Sequence, residues 1–261
     1  MNDAHAAILD FKQNTISNPQ LLRRLINYAN WNVPVSERAA VDIMATHSAQ
    51  AIQFHQADDG TKTLLLYTDS ESYTAGFAGA PIPEQHFLTT TGEWVFQLPL
   101  SEFSQILINP NTPASLLFVG AQLDGLREFC EGVVVQDLLT QLRKGGGPDG
   151  SVRRVGNYRG FSIAVRQIDG RNTICFAPDD KQRSLIAIFT TDDAYDAYVN
   201  ELPDTMTDSM FQVKMPGPDL FANLQQQPAD GLVFNCCGPT QPVAFAFGLC
   251  SVIVDELNVV R

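Results

Sequence analysis

Short apolar runs broken by polar turns follow one clearly amphipathic stretch near the start of the chain. In SNPQLLRRLINYANW the spacing predicts a helix with Asn18 as N-cap and Pro19 at the first helical position, where its missing N–H costs nothing. Leu21, Leu22, Leu25 and Ile26 recur on one face, with Arg23 and Arg24 off it, and the helix is expected to end near Asn30. AIQFH and TLLLY flank an Asp-Asp-Gly turn and predict a β-hairpin over residues 51 to 67. WVFQL (94–98) reads as a third strand, and ILIN and SLLFV as a fourth and fifth. From 128 to 144, Val134, Leu138, Leu139 and Leu142 share a helical face that ends in basic Arg143 and Lys144.

GGGPDGS, residues 145 to 151, is the strongest breaker in the chain and predicts a domain boundary. A phosphate-binding loop needs Lys and Ser or Thr directly after its last glycine, whereas Ser151 is followed by Val152 and two arginines. Beyond it, GFSIAVRQIDGRNTICFAP predicts a hairpin turning at Asp169-Gly170, and RSLIAIF a buried strand. Residues 191–200 read as a helix, MFQVKM as a strand, 218–226 as a helix opening with Pro218, and GLVFN and VAFAFGLCSVIV as the final strands. The order implies an α+β (mixed α/β) fold of two similar tandem domains, 1–144 and 152–261, joined by the linker 145–151.

The two halves resemble each other. LLLYTDSESY sets Tyr67, Thr68, Glu71 and Tyr73 against Phe189, Thr190, Asp193 and Tyr195 of IAIFTTDDAY. WVFQLPLSEF pairs with FQVKMPGPDL through Pro99 and Pro216, and Glu102 and Asp219. ILINPNTP pairs with LVFNCCGP, placing Asn109 on Asn235, although a pairing of SLLFV with GLVFN stays open. The first of these pairings requires a shorter helix in the first half. Thr68-x-x-Glu71 has capping-box form, and Thr190-x-x-Asp193 is a shorter-armed version. Both acids also suit a positive helix end. These four residues are therefore expected to be structural caps of the repeat.

An apolar strand running into Tyr/Phe-Thr and an acidic helix start, followed by an apolar strand ending in Asn-Pro, resembles the enhanced-serine-sensitivity (SseB-type) domain of bacteria. Tyr67 to Glu71 with Asn109-Pro110 carry the resemblance in the first half, and Phe189 to Asp193 with Asn235 in the second. The second half departs from the pattern, with Cys236 where the proline stands in the first. The resemblance implies a bacterial α/β module without an established enzymatic activity.

A net charge of −12 argues against nucleic acid and anionic membrane as partners. No window approaches the ~20 apolar residues of a membrane span. The five cysteines are irregularly spaced, no secretory signal is evident, and a cytoplasmic setting is expected. Cys236 and Cys237, as neighbours in a strand, are expected to point to opposite faces and pack as small hydrophobes. His5, His47, His55 and His86 have no metal-ligand spacing, and no nucleophile elbow, zinc motif or dinucleotide loop occurs. No catalytic, metal or cofactor set is assigned. The expected role is a protein-interaction adaptor with an unknown protein partner, self-association being one possibility. The alternative is a metabolite binder or enzyme with a pocket at the domain junction, drawing on His47, His55 or a cysteine.

Overall fold

Three sheets organise the described residues of the computed structural model, 3–35, 52–77, 85–99, 103–177 and 183–258. The fold is α+β, and the chain divides into two compact units, Met1–Cys130 and Glu131–Arg261.

The first unit opens with helices α1 (Asp3–Lys12) and α2 (Asn18–Ile26). Ser17, not Asn18, caps α2: it closes a reciprocal capping box with Gln20, and Pro19 sits in the first turn. Leu21, Leu22, Leu25 and Ile26 are buried, as their spacing predicts. The helix stops four residues before Asn30, because the chain turns at Asn27 to enter strand β1 (Trp31–Val35). Strands β2 (Phe54–Gln56) and β3 (Lys62–Leu66) form the expected antiparallel hairpin. Helix α3 (Ser70–Gly76) follows β3, and strand β4 (His86–Thr90) pairs antiparallel with β1. Strands β5 (Gln105–Ile108) and β6 (Leu116–Val119) lie where ILIN and SLLFV predict, with β5 parallel to β3 and β6 antiparallel to β5. A bridge between Asn32 and Tyr67 joins β1 to the end of β3.

WVFQL is not a strand. Helix α4 (Gly92–Phe96) occupies it, with Thr91 as N-cap accepting from the Trp94 N–H. An apolar run of this length does not distinguish strand from buried helix, and Thr91-Gly92-Glu93 supplied the start signal.

Helix α5 (Ala121–Arg143) begins seven residues before the predicted start, and the division between units falls inside it. The glycine stretch 145–151, expected to be the domain boundary, therefore lies within the second unit. It is the turn between α5 and helix α6 (Ser151–Asn157), with Gly145, Gly147 and Gly150 all at positive φ.

Strands β7 (Phe161–Ile168) and β8 (Arg171–Ile174) turn at Asp169-Gly170, as predicted, and β9 (Phe176–Ala177) continues along β10 (Leu185–Phe189). Helix α7 (Asp192–Asn200), a short helix α8 (Asp204–Thr207), strand β11 (Met210–Met215) and helix α9 (Gly217–Leu224) follow. Strands β12 (Gly231–Phe234) and β13 (Val243–Ala246) complete a sheet ordered β11-β7-β10-β12-β13. VAFAFGLCSVIV is a strand only as far as Ala246. From Leu249 it is helix α10 (Leu249–Asn258), with Cys250 and Ile253 buried on one face.

The two units share one pattern of pairing. The path β4-β1-β3-β5-β6 in the first has the same order and senses as β11-β7-β10-β12-β13 in the second. Registers agree residue by residue: Asn32 opposes Tyr67 as Ser162 opposes Phe189, and Val35 opposes Ile52 as Val165 opposes Ile174. The same registers correct one sequence pairing. Thr90 and Met215 hold equivalent places opposite Trp31 and Phe161, so α4 corresponds to α9 and Gly92 to Gly217. Pro99 does not match Pro216, so the spacing argument for a shorter first-half helix falls, although α4, with five residues, is shorter than α9, with eight. Glu102, paired with Asp219 on the same basis, lies outside the described residues.

Candidate functional site

The carboxyl ends of a parallel strand pair are where open α/β sheets usually place ligands. In the first unit these are the ends of β3 and β5, where Asn109 is fully buried with φ +45°. Asparagine tolerates this left-handed backbone better than most residues. Its backbone N–H donates to the Leu66 carbonyl at 2.9 Å, extending the parallel ladder by one bond. Its side-chain oxygen accepts from the Thr68 N–H at 2.9 Å, and its side-chain NH2 donates to Thr68 Oγ1 at 3.0 Å. The Tyr28 hydroxyl donates to the Thr68 carbonyl at 2.9 Å.

The second unit repeats these bonds. Asn235, buried with φ +49°, donates from its backbone to the Ile188 carbonyl at 2.8 Å. It accepts from the Thr190 N–H and donates to Thr190 Oγ1, both at 2.9 Å. Tyr158 donates to the Thr190 carbonyl at 2.7 Å. Here Asn235 also donates to Gln136 Oε1 at 2.8 Å, and Gln136 passes a bond on to the Gln241 carbonyl. Gly132 of α5 sits so close that an added Cβ would lie 2.1 Å from the Thr190 carbonyl oxygen.

These bonds overturn the capping assignment. Thr68 turns inward to Asn109, so the N-cap of α3 falls one residue later, on Asp69, whose carboxylate accepts from the Ser72 N–H at 2.7 Å. Glu71 then lies one position short of the place a capping box requires. In the second unit Thr190 likewise turns to Asn235. Thr191 holds the cap position without a side-chain bond to the helix, and Asp193 lies in the first turn, where the helix dipole favours it. The signal for this tie was present in the sequence as the alignment of Asn109 with Asn235. Tyr28 and Tyr158 carried none.

Burial alone would raise the Asp69 carboxyl, but the Ser72 N–H and hydroxyl, the Thr68 hydroxyl and the nearby His5 together hold it below the usual carboxylate range. Asp192 bonds Gln212 at 2.9 Å and pairs with Lys214 at 3.3 Å. His55 and His86 are exposed on β2 and β4, and His47 lies outside the described residues. Cys236 and Cys237 do not diverge across a strand. β12 ends at Phe234, and beyond the left-handed Asn235 both thiols, half-buried, pack with Cys175 in the cluster around Tyr198. Burial first, then Cys237 beside it, pushes the Cys236 thiol up to about 12, so it is protonated at neutral pH and a poor nucleophile. Among the described residues, no group of three or more His, Cys, Asp or Glu is placed to hold a metal ion. Nor is any helix there long and apolar enough to cross a membrane.

No curated protein matches the chain in sequence. Among solved structures, Anabaena Tic22 (protein transport) aligns over 82% of this chain and 88% of its own, at 8% identity and a TM-score of 0.23. Residues 4–124 match the SseB protein N-terminal domain. That span runs from α1 to the start of α5 and takes in the whole Tyr28–Thr68–Asn109 tie, so the first half of the chain is an SseB-type domain.

Proposed function

We propose that the chain is a tandem pair of SseB-type modules that works in the bacterial cytoplasm as an adaptor, through contacts with other proteins and without chemistry of its own. The observation that carries this reading is the same in both units. At the strand ends where an α/β protein presents ligand-binding groups, the buried Thr and Asn side chains bond each other, and a Tyr hydroxyl, half-buried for Tyr28 and buried for Tyr158, donates to the Thr carbonyl. The repetition of that tie, with matching strand registers, supports reading the second unit as a further copy of the first.

A net charge of −12 favours a partner with a basic face. Affinity capture from bacterial extract at physiological salt, with the full chain as bait, identifies candidates. Each is then tested with purified components. Binding of a purified partner that weakens with rising salt is the expected result. Enrichment of nothing beyond what an inert protein of equal charge retains would sink the reading.

A further inference from the structure

The two units differ at one aromatic contact. In the first, β2 sets Phe54 opposite Leu64 of β3, and the Phe54 ring stacks on Phe103 with centroids 5.7 Å apart and planes 21° from parallel. In the second, β9 sets Phe176 opposite Ile186 of β10 in the equivalent register. The residue matching Phe103 is fixed by the next backbone bond: the Ser104 N–H donates to the Lys62 carbonyl as the Asp230 N–H donates to the Ser184 carbonyl, both at 3.0 Å. The residue before Asp230 is Ala229, so a methyl group stands where the first unit has a ring. Phe176 is left 42% exposed. Along the same face, exposed Phe211 opposes Val165, itself buried, which opposes the half-buried Ile174 two residues before Phe176. Cross-strand partners share a face, so these apolar groups form one row.

We infer that a second copy of this chain covers this row, with Phe176 of each copy stacked on Phe176 of the other across a two-fold axis. A two-fold contact is self-complementary, so the same residue serves both sides. The surface lacks one ring and itself presents one, so two copies complete both vacancies at once. The stack formed within the first unit by Phe54 and Phe103 is thus formed between chains in the second. The row is small beside a standard interface, which makes the dimer a weak and reversible one. Each copy carries a charge of −12, so the copies repel at long range and added salt tightens the dimer by screening that repulsion.

Sedimentation equilibrium of the full chain, from micromolar to near-millimolar concentration, tests this with two variants. Phe176→Ala removes the ring. Ala229→Phe fills the vacancy from within, as Phe103 does, and keeps Phe176 in place. Wild type is expected to show a monomer–dimer equilibrium that tightens from low to physiological salt, and each variant to dimerise at least about tenfold more weakly. Circular dichroism melts establish that both variants are folded. A wild type that stays monomeric throughout overturns the inference and leaves the row to another protein. Undiminished dimerisation in either variant, or a dimer that loosens with salt, overturns it as well.

Discussion

Asn109 and Asn235 each hold a strand end with bonds that no other side chain of their size supplies at positive φ. One oxygen takes a backbone N–H, one amide donates to the same threonine, and the left-handed backbone is tolerated. Removing either takes its side-chain partner from a buried threonine N–H, at about 1–3 kcal/mol, while Thr68 Oγ1 keeps Asp69 and Ser72. Asn235→Ala is expected to destabilise more than Asn109→Ala, because it also orphans Gln136 Oε1. Urea melts rank the two, and equal losses would show that the Gln136 bond adds nothing. Thr68→Ala and Thr190→Ala lose stability by the same route and not through capping. Asp69→Ala loses a true cap, about 0.5–2 kcal/mol, whereas Glu71→Ala, exposed in the first turn, loses only its interaction with the helix dipole, about 0.3–1 kcal/mol at most. The Asp69 carboxyl lies below its unfolded value, so its contribution is present above that value and is lost as pH falls through the folded one. The advantage of wild type over Asp69→Ala is therefore expected to shrink as pH falls from 7 to about 3, below the ordinary Asp value. A gap between the two melts that is the same at both pH values would refute that linkage.

Helices α4 and α9 show how a single atom sets the spacing between elements. The N–H of Gly92 donates to the Tyr28 carbonyl at 2.8 Å and that of Gly217 to the Tyr158 carbonyl at 2.7 Å. A Cβ at Gly92 would stand 2.3 Å from the Leu25 carbonyl oxygen, and one at Gly217 2.2 Å from that of Gly156. Backbone cannot yield as a flexible side chain does. Gly92→Ala and Gly217→Ala are each expected to cost about 1–3 kcal/mol, read by thermal or urea unfolding, and a neutral result would mean that the helices shift freely. Neither glycine stands out in the sequence, one following Thr91 and the other lying between Pro216 and Pro218. What was legible there was local: the Leu21–Ile26 stripe, the hairpins at Asp59-Gly60 and Asp169-Gly170, and the buried LIAIF strand all formed as their patterns predict. WVFQL and GLCSVIV misled because dense apolar runs fit a buried helix as well as a strand, and only contacts with the rest of the unit decide between them. Thr68 and Thr190 were correctly singled out but given a local task, since their partners lie 41 and 45 residues away.

The longest element, α5, decides how the chain divides. Its last turns carry Val134, Val135, Leu138 and Leu139 into the same buried cluster as Val155, Phe161, Phe221 and Phe234. Gln136 ties Asn235 from the same stretch, and Gly132 lies against Thr190. A cut at the glycine turn, the boundary that composition suggests, would strip the second unit of all of this. Burying a Val or Leu side chain is worth about 1.5–3 kcal/mol, so four of them supply roughly 6–12 kcal/mol. A whole domain is stable by only about 5–15 kcal/mol. A fragment of residues 152–261 is therefore expected to be unfolded or to lack a cooperative urea transition, whereas residues 131–261 fold with a single sharp one. Far-ultraviolet circular dichroism and urea titration of the two fragments make the comparison. Equal cooperativity in both would mean that α5 only rests on the second unit, and that the glycine turn is its true boundary.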